Sequence, residues 1–557
     1  MSENVKGNGR GNGQDAQLAH QQLRRQLSQL PARRRMEALV EAPEARALVR
    51  SLPAEELYTT IQEVGLADAT ELVQLASPKQ FQAFVDLAGW QRDRIDSHVL
   101  LTWLRAARGD EPEEFLRKLH GMDLELLEFM LREFTQMHDL EENPDVNPEG
   151  VTMETPEGRY LIELKVEGVE QAALRAILRD LIAENPFESV RLMEATRWEV
   201  SSELEETAHR FRAARLQDLG FPTLEEAMQL FSRVDLGPAP ARSAQPALAP
   251  VQGHVDALEA VFRELTEVER ENLEDELRGV ANAALVAELA DPGDLEAVRR
   301  VGEVVRDYLS LGLEHLTGGE LARAAEVVRD TPLQRIFQVG FSLTLTLKFR
   351  ADRLVKAPLA RMDDTMLLFP EEAAAVEALR LKRPRRALRV QGAEPVPFRS
   401  LREIAASEAL LARAEAQVEL FRGLLGGTEA AAREVLARFG VALSVLGVER
   451  LFTATVAMAV LDGRADPRPV PLGRTVELGE RLFEGTAQAP RLRASAAERA
   501  RTALEPAVAP EARPELRRLV DITLERVLGE LGAPYLQEGR VDPTLAVILP
   551  MEGAPIP

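Results

Sequence analysis

From Leu52 to Glu142 the apolar positions recur at helical spacing in short blocks, and Pro, Gly or Asp breaks the pattern between them. The upstream stretch 18–50 opens the same way, with Leu18, Leu23, Leu27 and Leu30 on one helical face. Pro53 fits a helix start. Ser77-Pro78-Lys79-Gln80 is a capping box with proline at the first helical position, and Asp110-Glu111-Pro112-Glu113 repeats that logic. Asp123 stands where it can cap a helix carrying Leu124, Leu127, Met130, Leu131 and Phe134. These signals predict helices of about 8–16 residues joined by brief connections. One such helical pair cannot cover its own apolar stripe, so the pairs are expected to stack on their neighbours.

At 151–166 the period changes from 3.6 to 2. Tyr160, Ile162, Leu164 and Val166 share one face, and Pro156-Glu157-Gly158 supplies the turn of a β-hairpin. Helical spacing returns at 168–184, at about 190–215 and 223–233, and again from 254 to 380. Leu333, Ile336, Phe337, Phe341 and Leu345 predict a helix buried on most sides. Leu388, Val390, Val396 and Phe398 suggest a second short hairpin at 388–398, and helices are expected at about 399–425, 428–461, 473–484 and 515–531. The predicted fold is mainly α: a multi-helix superhelical or solenoid-like array with one short hairpin and a second suggested. Its expected parts are a disordered Gly/Asn-rich tail at 1–17, an acidic superhelix at 18–150, and a hairpin with helices at 151–236. A Pro/Ala-rich linker at 237–253 then leads to a central helical domain at 254–383 and a C-terminal one at 384–557.

Composition narrows the function classes. The 68 basic and 91 acidic residues leave a net charge of −23, which opposes non-specific binding to nucleic acid. There is no cysteine, so thiol nucleophiles, disulfides and thiolate metal sites are excluded. Aromatics are only 5% of the chain, and alanine and leucine favour helix. No membrane span is expected. Ile336–Leu347 is short and flanked by Arg335 and Lys348, while Phe439–Leu461 carries Glu449 and Arg450 at its centre. The first residues have no apolar core of a signal peptide, and a cytoplasmic location is expected by default.

Candidate chemistry is sparse. Residues 110–150 hold 13 acids against three bases, a local charge of −10. Within them Asp139, Glu142, Asp145 and Glu149 are candidate ligands for a divalent cation. Asp145, Asn147, Glu149 and Gly150 imitate the first half of a calcium loop, but Pro156 stands where the loop needs its closing glutamate. A solvated or partner-binding acidic face explains the same charges. Glu206 and His209 have the spacing of one half of a carboxylate-bridged metal bundle, and the second half is missing. There is no G-x-S-x-G, phosphate loop or dinucleotide turn, so no catalytic and no organic-cofactor residue is assigned. Arg380 to Arg389 carries six positive charges without interleaved aromatics, which suits an intramolecular acidic partner or an acidic protein better than a nucleic acid. Trp90, Trp103 and Trp198 occupy helical positions among apolar neighbours, suiting core packing or an interface anchor.

Two resemblances add to this. Arg35 to Arg108, above all LPAEELYTTIQEVGLADATELVQLASPKQFQAFVDL, resembles the N-terminal cytosolic domain of MgtE-type magnesium transporters, which implies a superhelix of short acidic helices. The transporter's membrane helices and nucleotide-binding-like module have no counterpart here, so transport is not implied. Over its full length the chain is similar to an uncharacterised bacterial family known mostly from deltaproteobacteria. RFRAARLQDLGFPTLEEAMQLF, YLSLGLEHLTGGELARAAEVV and TPLQRIFQVGFSL carry that similarity, which implies an architecture and no reaction.

The expected function is therefore a non-enzymatic cytosolic helical scaffold or adaptor with protein partners. The alternatives are a Mg²⁺- or Ca²⁺-responsive regulator using 110–150, and an enzyme with an unrecognised carboxylate site. The sequence names no partner and no oligomeric state.

Overall fold

The Ser77 hydroxyl accepts the backbone N–H of Gln80 at 3.2 Å, and the Gln80 side chain accepts the N–H of Ser77 at 2.9 Å. The expected capping box therefore starts the helix Pro78–Ala88 in this computed structural model. The structure describes Leu27 and residues 30–91, 93–236, 257–388, 392–541 and 547–553. The expected tail at 1–17 and linker at 237–253 lie outside the described residues. The protein is mainly helical, with a few short antiparallel strand pairs. No described helix is long and apolar enough to cross a membrane.

The chain divides into two compact units. The first comprises Met1–Leu230 with Asn272–Val305. Here the helices stack in two rows. Ala32–Val40, Ala54–Val64, Pro78–Ala88 and Pro112–His120 pack one on the next, while Ala45–Ser51, Thr70–Leu75, Ser97–Ala107 and Leu124–Phe134 do the same beside them. This is the layout expected of stacked hairpins, because each short amphipathic helix finds cover only on its neighbours. Their apolar faces merge into one core that includes Phe81, Phe84, Trp103, Phe115 and Met130.

The hairpin expected at 151–166 is present as Val151–Glu154 and Tyr160–Leu164, with Met153 opposite Ile162. A third strand, Thr135–Asp139, pairs with the other edge of Tyr160–Leu164, so the hairpin's second strand becomes the centre of a small sheet. The region expected at 388–398 shows a single bridge between Arg386 and Val396, and residues 389–391 lie outside the described ones.

The second unit comprises Phe231–Glu271 with Arg306–Pro557. Its helix Leu333–Val355 buries Leu333, Ile336, Phe337 and Phe341, as their spacing predicted, leaves Leu345 partly buried, and packs on Leu401–Leu424 and Pro370–Leu379. The helix Val448–Asp462 is buried from Leu451 to Leu461 and packs against Ala494–Leu504 and Arg513–Val527. Its internal Glu449 stands at the first turn, where its carboxylate pairs with Arg526.

Candidate functional site

The helix Leu124–Phe134 turns Leu126, Met130 and Leu131 into the core of the first unit. Its exposed Leu124, with the buried Leu127 beneath, faces the helices Pro112–His120, Gly168–Glu184 and Pro186–Trp198 across an open groove of about 390 Å³. Leu119, Met122, Leu181 and Leu192 supply most of the facing wall. Leu124 is 55% exposed, which is unusual for a leucine beside such a wall.

Glu128 lies in this groove one turn after Leu124 and is only 6% exposed. It has no hydrogen-bond or ion-pair partner among the described residues. A carboxylate set in a mostly apolar groove with no counter-charge resists ionisation. Burial, reinforced by the charges of Glu125 and Glu199, pushes the Glu128 carboxyl up to about 7. The rim is polar. His120 Nε2 meets Glu184 Oε2 at 2.8 Å, and Arg191 lies 3.5 Å from Glu188. The groove thus joins an apolar floor to one charge left without its counterpart.

The residues singled out as cation ligands are placed differently. Asp139 is buried at the end of its strand and receives Arg159 Nη2 and Arg197 Nη1, each at 3.1 Å. Arg197 also donates to Glu142 at 2.6 Å, and Arg159 to Glu194 at 2.8 Å. Burial alone would raise the Asp139 carboxyl. The Glu141 backbone N–H and the Arg159 guanidinium outweigh it and hold the group below the usual carboxylate range. Asp145 and Glu149 are exposed on the following loop, whose Gly150 N–H is taken by Glu163 at 3.1 Å. The structure does not bring the four together, and among the described residues no three His, Asp or Glu side chains form a cation cage.

The basic run is largely spent inside the second unit. Arg380 pairs with Asp352 at 2.9 Å, Arg386 with Glu403 at 3.0 Å, and Arg383 lies 3.4 Å above the Phe231 ring. A larger cleft there, about 1080 Å³, has Glu372 at its floor. Arg413 and Arg518 reach that buried carboxylate at 2.9 and 3.0 Å, so its charge is already met. That separates it from Glu128. Trp90 and Trp103 are core residues, whereas Trp198 is 70% exposed and donates its indole N–H to Glu194 at 3.2 Å.

Sequence reasoning missed Glu128 because a glutamate in LELLEFMLREF reads as the wet face of an amphipathic helix. The available signal was its flanks. Leu124 and Leu131 stand four before and three after it, which puts it on an apolar stripe.

No curated protein and no solved structure matches the chain. Residues 12–552 match the model described as Family of unknown function (DUF6178), nearly the whole chain, and the protein belongs to that family.

Proposed function

We propose that this protein is a helical scaffold or adaptor, and that the Glu128 groove seats a basic amphipathic helix of a partner protein. The observation that carries this is the unpaired, buried Glu128 in an apolar groove. A partner helix would fill the groove with leucine-type anchors at positions three and four apart. A lysine or arginine on the same face would supply the missing counter-charge to Glu128, turning a costly isolated carboxylate into a desolvated ion pair. The −10 charge of residues 110–150 favours a basic partner over an acidic one.

Fluorescence anisotropy tests this with a labelled amphipathic peptide of Leu and Lys, about five helical turns long. The Leu/Lys peptide should bind, and its Leu/Glu counterpart should not. Leu124→Asp alters an exposed position and should weaken binding about tenfold or more, as loss of an anchor does. Equal binding of both peptides, or indifference to Leu124→Asp, would refute the proposal.

A further inference from the structure

The chain holds seven lysines among its 68 basic residues, and Lys118 is the one buried lysine among the described residues, at 1% exposure. It projects from the helix Pro112–His120 on the side away from the Glu128 groove, into a separate cleft of about 290 Å³ in the same unit. Val40, Leu75 and Ala107 give that cleft apolar walls.

An ammonium carries three N–H donors and needs acceptors for them. Lys118 Nζ has one, the backbone oxygen of Gln74 at 2.8 Å, and Gln74 itself lines the cleft. No other hydrogen bond or ion pair reaches it among the described residues. The nearby carboxylate of Glu114 is taken up by Arg46, Arg50 and Arg117 at 3.2, 2.8 and 2.8 Å. With no ion-pair partner among the described residues, the amine lacks a counter-charge that would favour the ammonium. Burial acts the same way and lowers the Lys118 amine to about 8, with Glu114 opposing the shift and the arginines adding to it.

We propose that Lys118 is a nucleophilic amine that captures small neutral aldehydes in this cleft as imines. The amine lone pair adds to the carbonyl carbon, and the carbonyl π electrons move to oxygen. A proton passes from nitrogen to that oxygen to give a carbinolamine. Loss of the hydroxyl with the second amine proton releases water and leaves the C=N bond, with no change of oxidation state. The cleft's size sets the limit on the ligand. Its charge sets the class: Glu111 and Glu114 are met by Arg46, Arg50 and Arg117, while Glu71 and Asp110 have no ion-pair partner among the described residues, and their charges repel carboxylates and phosphates.

The test treats the full chain with propanal and sodium cyanoborohydride near neutral pH and quantifies each lysine peptide by mass spectrometry. At pH 7.5 an amine titrating near 8 has a neutral fraction roughly a hundredfold above that of an ordinary lysine. Because the less basic, buried amine is also a weaker and less accessible nucleophile, Lys118 should alkylate about tenfold faster than the other lysines, with a rate that levels off above about pH 8. In Lys118→Arg the mark should vanish from this peptide and persist unchanged on the rest. Propionate should not slow the reaction. Labelling of Lys118 no faster than the mean of the other lysines, or a rate still climbing toward pH 10, would overturn the proposal. Both of those readouts use the wild-type chain, so they hold even if a variant misfolds.

Discussion

Glu128 carries a stability signature that its neighbours do not. The unfolded chain releases this proton near pH 4.3, an ordinary glutamate value, and the folded chain releases it near 7. Between those values the native state binds the extra proton, so stability falls as pH rises, and the penalty is complete above about 7. Glu128→Gln removes the titration. It should raise the melting temperature at about pH 8, leave it nearly unchanged at about pH 4.5, and flatten the curve between. Thermal unfolding across that range is the measurement, and an equal gain at both ends would show that the carboxylate is not the cause. The residue scale is also where sequence reading was weakest. Asp123 has the right place for a helix cap, and it does precede Leu124–Phe134, but its side chain makes no cap bond. Arg215 claims it at 2.9 Å and bridges it to the buried Asp86 at 2.6 Å. Those partners lie 92 and 129 residues from Arg215, and local pattern contains nothing of such distances.

Elements were more legible than residues, because helical period and punctuation are local. Ser77 with Gln80, the buried helix at Leu333–Val355 and the hairpin turn at Pro156–Gly158 all follow from neighbours in the chain. The strand Thr135–Asp139 did not. It follows a helix without a break and is strand only because Tyr160–Leu164 offers it an edge. Helix contact has a further determinant that period does not show. Gly302 and Gly312 share the helix Leu295–Thr317, yet a Cβ at Gly302 would meet nothing within 4 Å. At Gly312 it would lie 2.0 Å from the Ile336 carbonyl oxygen, and at Gly340 it would lie 2.0 Å from that of Tyr308. The helices Leu295–Thr317 and Leu333–Val355 thus approach backbone to backbone inside the second unit, where Tyr308 also meets the Phe337 ring edge-on at 5.1 Å. Gly302→Ala should stabilise by about 0.5–1 kcal/mol through helix propensity. Gly312→Ala should destabilise by about 1–3 kcal/mol or more, since backbone cannot yield as a side chain can. Urea unfolding separates the two, and matched effects would mean that the close approach is not formed.

At the scale of the whole molecule, charge is the property that composition foretells best and locates worst. A net −23 promises weak, diffuse attraction for any cation, and it does not say where carboxylates are free. The fold spends many of them on arginine. Asp139 and Glu142 share Arg197, Glu114 meets three guanidinium groups, and Glu372 meets two. A carboxylate already held by a bidentate donor gains little from a hydrated magnesium ion that must displace it. Of the four residues expected to bind a cation, only Asp145 and Glu149 are exposed with no hydrogen-bond or ion-pair partner among the described residues, on a loop that brings no third described ligand beside them. Millimolar Mg²⁺ at constant ionic strength should therefore give no saturable heat in calorimetry and no shift in melting temperature beyond that of added NaCl. A saturable heat that disappears in Asp145→Asn with Glu149→Gln would reverse this. It would return the acidic loop to the role of sensor and leave the Glu128 groove, with its need for a basic side chain, as a separate site.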